Sequence, residues 1–423
     1  MIQWILRVLL LAAPAAAAEE FTFDFDIARY ERPTYEFSGY LQGTAEHLRL
    51  DRDSALYALN FPDLDPGSFE RYRALGELSA VYRHEESALR ARIQAEVVDD
   101  IFGSSSDLNV HELYVSTPAG EHTSLEIGKR SLRWGTGYAW SPIGFLERPR
   151  DPNDPELSRE GFILGSVEHV RSFPEGRLRT VSFTPVILPV TADVNGDFGE
   201  RETINVAARL YLLYRDTDIH VTARSDGSRP GALGIGFSRN PVPHMEIHGE
   251  LAWYDGRTRA LISHGDLETN DTRPVDLLLG MRYLTRGETT WIVEYYRNGA
   301  GYSRDEMKRF LDLARASRED PALRPRAMSA RREGYGAPQA MRDYLFLRVR
   351  KNEPWDALYW SLGVNAIVNL HDGSASTIPE VMYTGFRNTE LRGRLAVLSG
   401  GRDTEFGERL NDWRLELRAR YFF

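Results

Sequence analysis

Along most of this chain, apolar and polar residues alternate with a period of two. At its end, Trp413, Leu415, Leu417, Ala419, Tyr421 and Phe423 take one set of alternate positions, while Arg414, Glu416, Arg418, Arg420 and Phe422 take the other. Side chains of a β-strand point alternately to opposite faces, so the pattern predicts strands with one greasy and one polar face. The same alternation runs through Leu89, Ala91, Ile93, Ala95 and Val97, and through Met245, Ile247, Gly249, Leu251 and Trp253. It recurs at Val275, Leu277, Leu279, Met281 and Tyr283, and at Leu358, Trp360, Leu362, Val364, Ala366 and Val368. Near Val110 and Gly165 it is weak, and no faces are assigned there.

Such strands suit a soluble sandwich, with the greasy face as core, or a transmembrane barrel, with that face against lipid and the polar face lining a lumen. Connection lengths separate the two. Short turns are expected near 83–87, 117–122, 173–176, 215–217, 240–243, 285–288, 351–354 and 387–389. Longer segments lie between them, near 46–70, 98–107, 131–159, 188–202, 225–230, 255–271, 298–341, 371–376 and 400–411. Tight turns on one side and long loops on the other are the asymmetry of an outer-membrane barrel. The fold class expected is all-β: an antiparallel up-and-down β-barrel of about 18 strands, with about 16 as the alternative.

Residues 1–18 (MIQWILRVLLLAAPAAAA) combine one arginine, a short apolar run and small residues at the end. They read as a secretory signal peptide cleaved after Ala18, with an N-terminal anchor as the alternative. Residues 19–423 then form a single barrel domain, and no later apolar run is long enough for a membrane-crossing helix. Composition agrees. With 42% hydrophobic and 27% charged residues and a mean hydropathy of −0.42, the chain is too polar for a helical membrane bundle and too hydrophobic for disorder. The absence of cysteine excludes disulfides, thiolate metal sites and a cysteine nucleophile, and suits passage through an oxidising periplasm. A net charge of −10 argues against nucleic-acid binding.

The Phe-terminated final strand, with Tyr421 and Phe423 on its apolar face, resembles the C-terminal signature read by the barrel-assembly machinery of Gram-negative bacteria. Three internal stretches, 128–142 (GKRSLRWGTGYAWSP), 294–303 (EYYRNGAGYS) and 403–407 (DTEFG), together resemble the porin-like outer-membrane barrels that include alginate-export-type proteins. That resemblance implies an eighteen-stranded barrel with a basic lumen for an anionic polymer.

The alternation places Arg90, Arg92, Arg130, Arg209, Arg224, Arg282, Arg342, Arg348, Arg350, Arg392, Arg394, Arg414, Arg418 and Arg420 inward, as candidate pore-lining residues. The inward acids are fewer: Glu96, Glu126, Glu246, Glu250, Asp276, Glu294 and Glu416. Rings of basic side chains select anions, and arginine grips carboxylate and phosphate bidentately. Cross-strand pairing that merely hydrates the lumen is the other reading. His244, Glu246, His248 and Glu250 tempt as a metal row, but alternate residues on one strand stand roughly 7 Å apart, and a polar lumen stripe is favoured. Asp193, Asn195 and Asp197 begin like a calcium loop, yet Phe198 and Ile204 fall where glycine and glutamate are needed.

In 298–341, Ser303 and Glu306 form a capping box ahead of Met307, Phe310, Leu311 and Ala314 at helical spacing. The helix either narrows or lids the pore, or packs on neighbouring loops. Tyr214, Trp253, Tyr283, Trp291, Trp355, Trp413 and Tyr421 fit interfacial girdles, and Tyr211, Tyr344 and Tyr359 are candidates for stacking inside the lumen. No GxSxG elbow or recognisable histidine partnering points to an enzyme, and no cofactor is expected. The expected function is a channel for small anionic or polar solutes, with a structural sleeve in a trans-envelope complex as the alternative. The expected partners are outer-membrane lipid, lipopolysaccharide and the assembly machinery.

Overall fold

The computed structural model describes residues 33–423, except 62–63, 155–156, 200 and 264; the expected signal peptide lies outside the described residues. Alternation becomes strand almost throughout. In chain order these are β1 (Tyr35–Leu50), β2 (Ser68–His84), β3 (Ser87–Asp100), β4 (Gly103–Pro118), β5 (Thr123–Arg130), β6 (Phe162–Ser172), β7 (Leu178–Val190), β8 (Thr203–Tyr214), β9 (Thr217–Arg224) and β10 (Ala232–Val242). They continue with β11 (Met245–Tyr254), β12 (Arg257–Ser263), β13 (Asp266–Thr272), β14 (Val275–Leu284), β15 (Thr289–Arg297), β16 (Asp343–Asn352), β17 (Trp360–Asn369), β18 (Ala375–Phe386), β19 (Thr389–Ser399) and β20 (Asn411–Phe422). All but β12 and β13 join one 18-stranded antiparallel sheet. Because β1 pairs with β2 on one side and β20 on the other, the sheet closes into a barrel without an edge. β12 and β13 form a separate hairpin inside the β11–β14 connection.

Exposure is inverted relative to a soluble protein. On β20, Leu417 is 57% and Tyr421 49% exposed, while Glu416 and Arg418 are 5% and 8% exposed. The apolar face is outside and the charged face inside, as expected for lipid outside and a polar lumen within. No described helix is long and apolar enough to cross a membrane.

At the end holding both strand termini, β8–β9, β10–β11 and β18–β19 are joined by two residues each. Arg215 and Asp216 both take positive φ, 47° and 61°, the hairpin geometry that matches strand twist. The long connections 51–67, 131–161, 255–274 and 298–342 gather at the opposite end. Two expected connections differ. The segment near 98–107 is no loop: pairing runs to Asp100 against Gly103, and only Ile101 and Phe102 turn, because Gly103 takes a φ of 109°. Conversely, the β16–β17 turn spans 353–359, so Leu358 and Tyr359 lie in it rather than on the strand, and Tyr359 is not a lumen residue.

Three helices cap the long-loop end: α1 (Ala55–Asn60), α2 (Arg304–Glu319) and α3 (Arg324–Ala330). The Ser303–Glu306 capping box starts α2 as the sequence predicts. Its apolar face, Met307, Phe310, Leu311 and Ala314, is buried with Leu59 of α1 and Ile262 of β12. Tyr335 stacks between Tyr302 (3.8 Å) and Phe310 (4.9 Å). Arg259 of β12 ion-pairs with Glu306 at 2.6 Å, tying the hairpin to the helix. The helix is thus a packed element of an outer cap.

Candidate functional site

The segment that enters the lumen is the β5–β6 connection, 131–161. A loop crossing a polar lumen must satisfy its backbone donors there, and two inward glutamates of the wall do so. Glu250 of β11 accepts hydrogen bonds from the backbone N–H of Thr136, Gly137 (3.0 Å) and Ile143 (3.1 Å), and from the Thr136 hydroxyl (3.0 Å). Glu294 of β15 accepts from the N–H of Tyr138 and Ala139 (2.8 Å) and hydrogen-bonds the His248 ring at 2.8 Å. Within the loop, Glu147 accepts from the N–H of Trp134 and Gly135 and pairs with Arg159 at 3.0 Å. Gly137 lies so close to the Trp140 carbonyl and the Leu278 side chain that a Cβ there would collide with both.

Apolar contacts complete this half of the loop. Trp140 stacks on Tyr296 at 5.0 Å and meets Phe346 edge-on at 6.0 Å. Ile143 and Phe145 pack on Ala232, Ala252 and Tyr254, and Trp134 and Leu146 join a cluster with Val186 and Leu188. Trp140 belongs to the same buried cluster as α2 and Phe406, so the crossing loop and the cap share one core. The three stretches singled out in sequence therefore share one buried cluster, through Trp140, Tyr302 and Phe406. Loop residues 138 and 139 bind Glu294, Trp140 packs on Tyr296, and Glu405 accepts from Tyr344 (2.7 Å), Asn369 (2.7 Å) and the Ala340 N–H (3.2 Å). Burial raises the Glu405 carboxyl above its usual range despite Arg409 nearby. Tyr138, half-buried beside the Glu246 carboxylate, is pushed up to about 12.

The returning half of the loop is held differently. Asp154 reaches Arg392 (2.7 Å), Arg394 (3.3 Å) and Arg418 (3.7 Å), and the Asn153 carbonyl accepts from Arg394 (3.3 Å) and Asn365 (3.4 Å). Burial opposes Asp154 ionisation, but these guanidiniums outweigh it and hold the carboxyl below its ordinary 3.8. Ser158 then hydrogen-bonds Arg92 of β3 and His111 of β4.

Beside the crossing loop lies a cavity of about 520 Å³. Arg148, Arg150, Arg159, Arg224, Arg229 and Arg257 line it, with Glu147, Asp276, Trp140, Tyr254 and Tyr296. Its acids are engaged: Glu147 by the loop, and Asp276 by Arg257 (3.5 Å) and the Gly299 N–H (2.8 Å). Among the described residues Arg224 donates only to the carbonyls of Phe145 (3.3 Å) and Pro230 (2.6 Å), and its buried Nε has no partner. Arg229 sits 4.3 Å over the Phe198 ring, with no carboxylate within 4 Å among the described residues, and burial lowers its pKa. Of these six arginines the alternation predicted only Arg224. The others lie outside the barrel strands, where periodicity is silent.

The remaining expected arginines, Arg342 apart, line the wall as strand residues, but with more carboxylates than the alternation assigned. Glu46, Glu112, Glu168, Asp218 and Glu390 also face inward, and Arg71 joins the wall. Arg92 pairs with Glu112 (2.9 Å), Arg130 with Glu126, Arg414 with Glu46 (3.3 Å) and Arg394 with Glu416 (2.6 Å). Arg90 and Arg209 rest over Tyr114 and Tyr211. Arg282 lies exposed near Tyr138 and Glu246. Arg348 faces Asn365 across the strand pair, Arg350 meets the Met382 sulfur at 3.4 Å, and Arg420 bonds Gln42 at 2.7 Å. Arg342 lies outside the wall, bonded to the Gly301 carbonyl at the cap. His244, in the β10–β11 turn, meets the Tyr283 ring edge-on at 5.4 Å. Asn195 bonds the Ile163 backbone and Asp197 pairs with Arg148, so both have structural partners. Tyr421 is exposed on the outer face, and Phe423 exchanges backbone hydrogen bonds with Gly39 of β1.

No protein-family model matches the chain, and no curated protein matches it. Solved structures do. Pseudomonas aeruginosa OccK8 (OprE) is 8% identical with a TM-score of 0.53, over 92% of this chain and 98% of that one. OccK2 (OpdF) of the same organism is 10% identical with a TM-score of 0.52, over 92% and 97%. OccK5 (OpdH) is 10% identical with a TM-score of 0.51, over 92% and 98%. At this identity the likeness establishes the fold: the chain is a porin-like, closed 18-stranded antiparallel β-barrel.

Proposed function

We propose that this protein is an outer-membrane channel that passes small anionic or polar solutes past the crossing loop. The observation that carries this reading is the arginine-lined chamber set against that loop. Its two acids are already engaged, while Arg224 and Arg229 have no carboxylate within 4 Å among the described residues. In a low-dielectric cavity such guanidiniums focus a positive field on whatever passes. Arg92, Arg130, Arg394 and Arg414 of the wall are paired with acids, so they add less net charge than the chamber does. A sleeve around a partner needs an unobstructed lumen, which a loop pinned to β11, β15 and β19 does not leave. An anionic polysaccharide is the second cargo class, because the three stretches quoted for the alginate-export-type resemblance converge on the crossing loop and cap; a polymer chain would require that loop to swing aside.

Reversal potentials across a planar bilayer under a salt gradient test the reading. A potential of the sign for chloride preference is expected, and Arg224→Gln with Arg229→Gln should reduce it. A cation preference would remove anion selectivity, and absence of any conductance by the folded barrel would remove the channel.

A further inference from the structure

The crossing loop is anchored in two unlike ways. Its first half is built into apolar clusters through Trp134, Trp140, Ile143, Phe145 and Leu146. Among the described residues, none from 149 to 160 belongs to any of these clusters. That limb rests on the β17–β20 wall chiefly through guanidinium contacts to the Asp154 carboxylate and the Asn153 carbonyl. Polar contacts of this kind are the ones a dissolved anion can replace, since it offers the same acceptor oxygens.

The wall at this point is incomplete without the loop. Three guanidiniums converge, from Arg392 and Arg394 of β19 and Arg418 of β20. Wall carboxylates within salt-bridge distance are Glu416, on Arg394 (2.6 Å) and Arg392 (3.6 Å), and Glu390, on Arg418 (2.6 Å). Farther charges, Glu380 near Arg394 and Arg420 near Arg418, offset each other in sign. Three cations thus face two wall anions, and the third anion is Asp154, supplied by the loop. All four side chains are 6–11% exposed.

We propose that Arg392, Arg394 and Arg418 form a binding site for the carboxylate of a passing solute, and that Asp154 occupies it as a tethered competitor. The solute class rests on the channel reading above; the site and its occupant do not. A group tethered by a short flexible segment acts at an effective concentration on the order of millimolar. A soluble carboxylate must therefore reach that range to displace Asp154, and displacement loosens the returning limb from β19 and β20 while Ser158 stays on Arg92 and His111. The site would then couple solute binding to widening of the passage.

Succinate is a suitable probe, with its neutral dimethyl ester as control. Binding is measured by thermal shift on the full-length protein in detergent, with heat-modifiable electrophoretic migration reporting that each variant is a folded barrel. Asp154→Asn keeps the shape of the occupant and removes its charge. It should lower the half-saturating succinate concentration about tenfold or more, as expected when a millimolar competitor is removed. Adding Arg394→Gln should abolish that gain, and the ester should bind neither form. Asp154→Glu, which keeps the tethered charge, should stay near wild type. Unchanged succinate binding in Asp154→Asn, or a gain that survives Arg394→Gln, would overturn the proposal. Should Asp154→Asn fail to fold, the comparison of Asp154→Glu with Asp154→Ser carries the same test. Because binding is read in detergent, a barrel that binds succinate but carries no bilayer current refutes the channel and leaves the site standing.

Discussion

Glu250 shows how much one residue does here. Its carboxylate, 2% exposed, collects three backbone donors and one hydroxyl from the crossing loop. Sequence alternation shows that Glu246, His248 and Glu250 face inward, and a polar lumen stripe is a fair reading of that. It does not show the purpose, because the donors at Thr136 lie 114 positions away and the bond crosses the lumen. Periodicity reports which face a residue takes, not what meets it. Replacing Glu250 by alanine leaves buried N–H groups unpaired, at about 1–3 kcal/mol each. The loop should then leave its pinned state often enough to appear as added noise and larger excursions in single-channel current. Glu250→Gln, which retains an acceptor oxygen, should lie between. Quiet traces in Glu250→Ala would show that apolar packing alone fixes the loop.

At the scale of elements, local signals were legible and long-range ones were not. A capping box is written within four residues, so α2 is predicted at its correct start. The choice of which long connection enters the barrel is set elsewhere, by glutamates on β11 and β15 and by glycines that let the 131–161 backbone approach the wall. The 298–341 segment, which carries the helix, instead builds a cap with α1 and the β12–β13 hairpin, and Trp140 joins the two through a shared core. Deleting 305–331 removes Met307, Phe310 and Leu311 from that core. Single-channel conductance should rise, both because the mouth is uncovered and because Trp140 loses packing behind it. Conductance equal to wild type would mean that the cap neither obstructs nor braces the passage.

For the whole molecule the decisive fact is closure, and the closing seam runs to the last residue. β20 pairs with β1 from Leu50 down to Tyr40, and beyond it Phe423 exchanges two backbone hydrogen bonds with Gly39, 3.1 and 3.0 Å. Gly39 lies so near the Phe423 ring that a Cβ there would approach its Cζ to 2.8 Å. Arg420 stands 4.3 Å over Tyr40 on the inner side of the same seam. The final strand is therefore both the closing strand and the segment that resembles an assembly signal, and the two roles make different demands. Closure needs the ladder, to which Phe423 adds two hydrogen bonds of about 0.5–1.5 kcal/mol each. That is small beside the long ladder joining β20 to its two neighbours, so a chain lacking Phe423 should refold in detergent with little loss of folded fraction. A signal read by assembly machinery depends on the terminal aromatic itself, so the same deletion should sharply reduce the folded barrel recovered from cell outer membranes. Parallel losses in both settings would mean that Phe423 serves the seam alone, and a loss confined to cells would place its role in recognition.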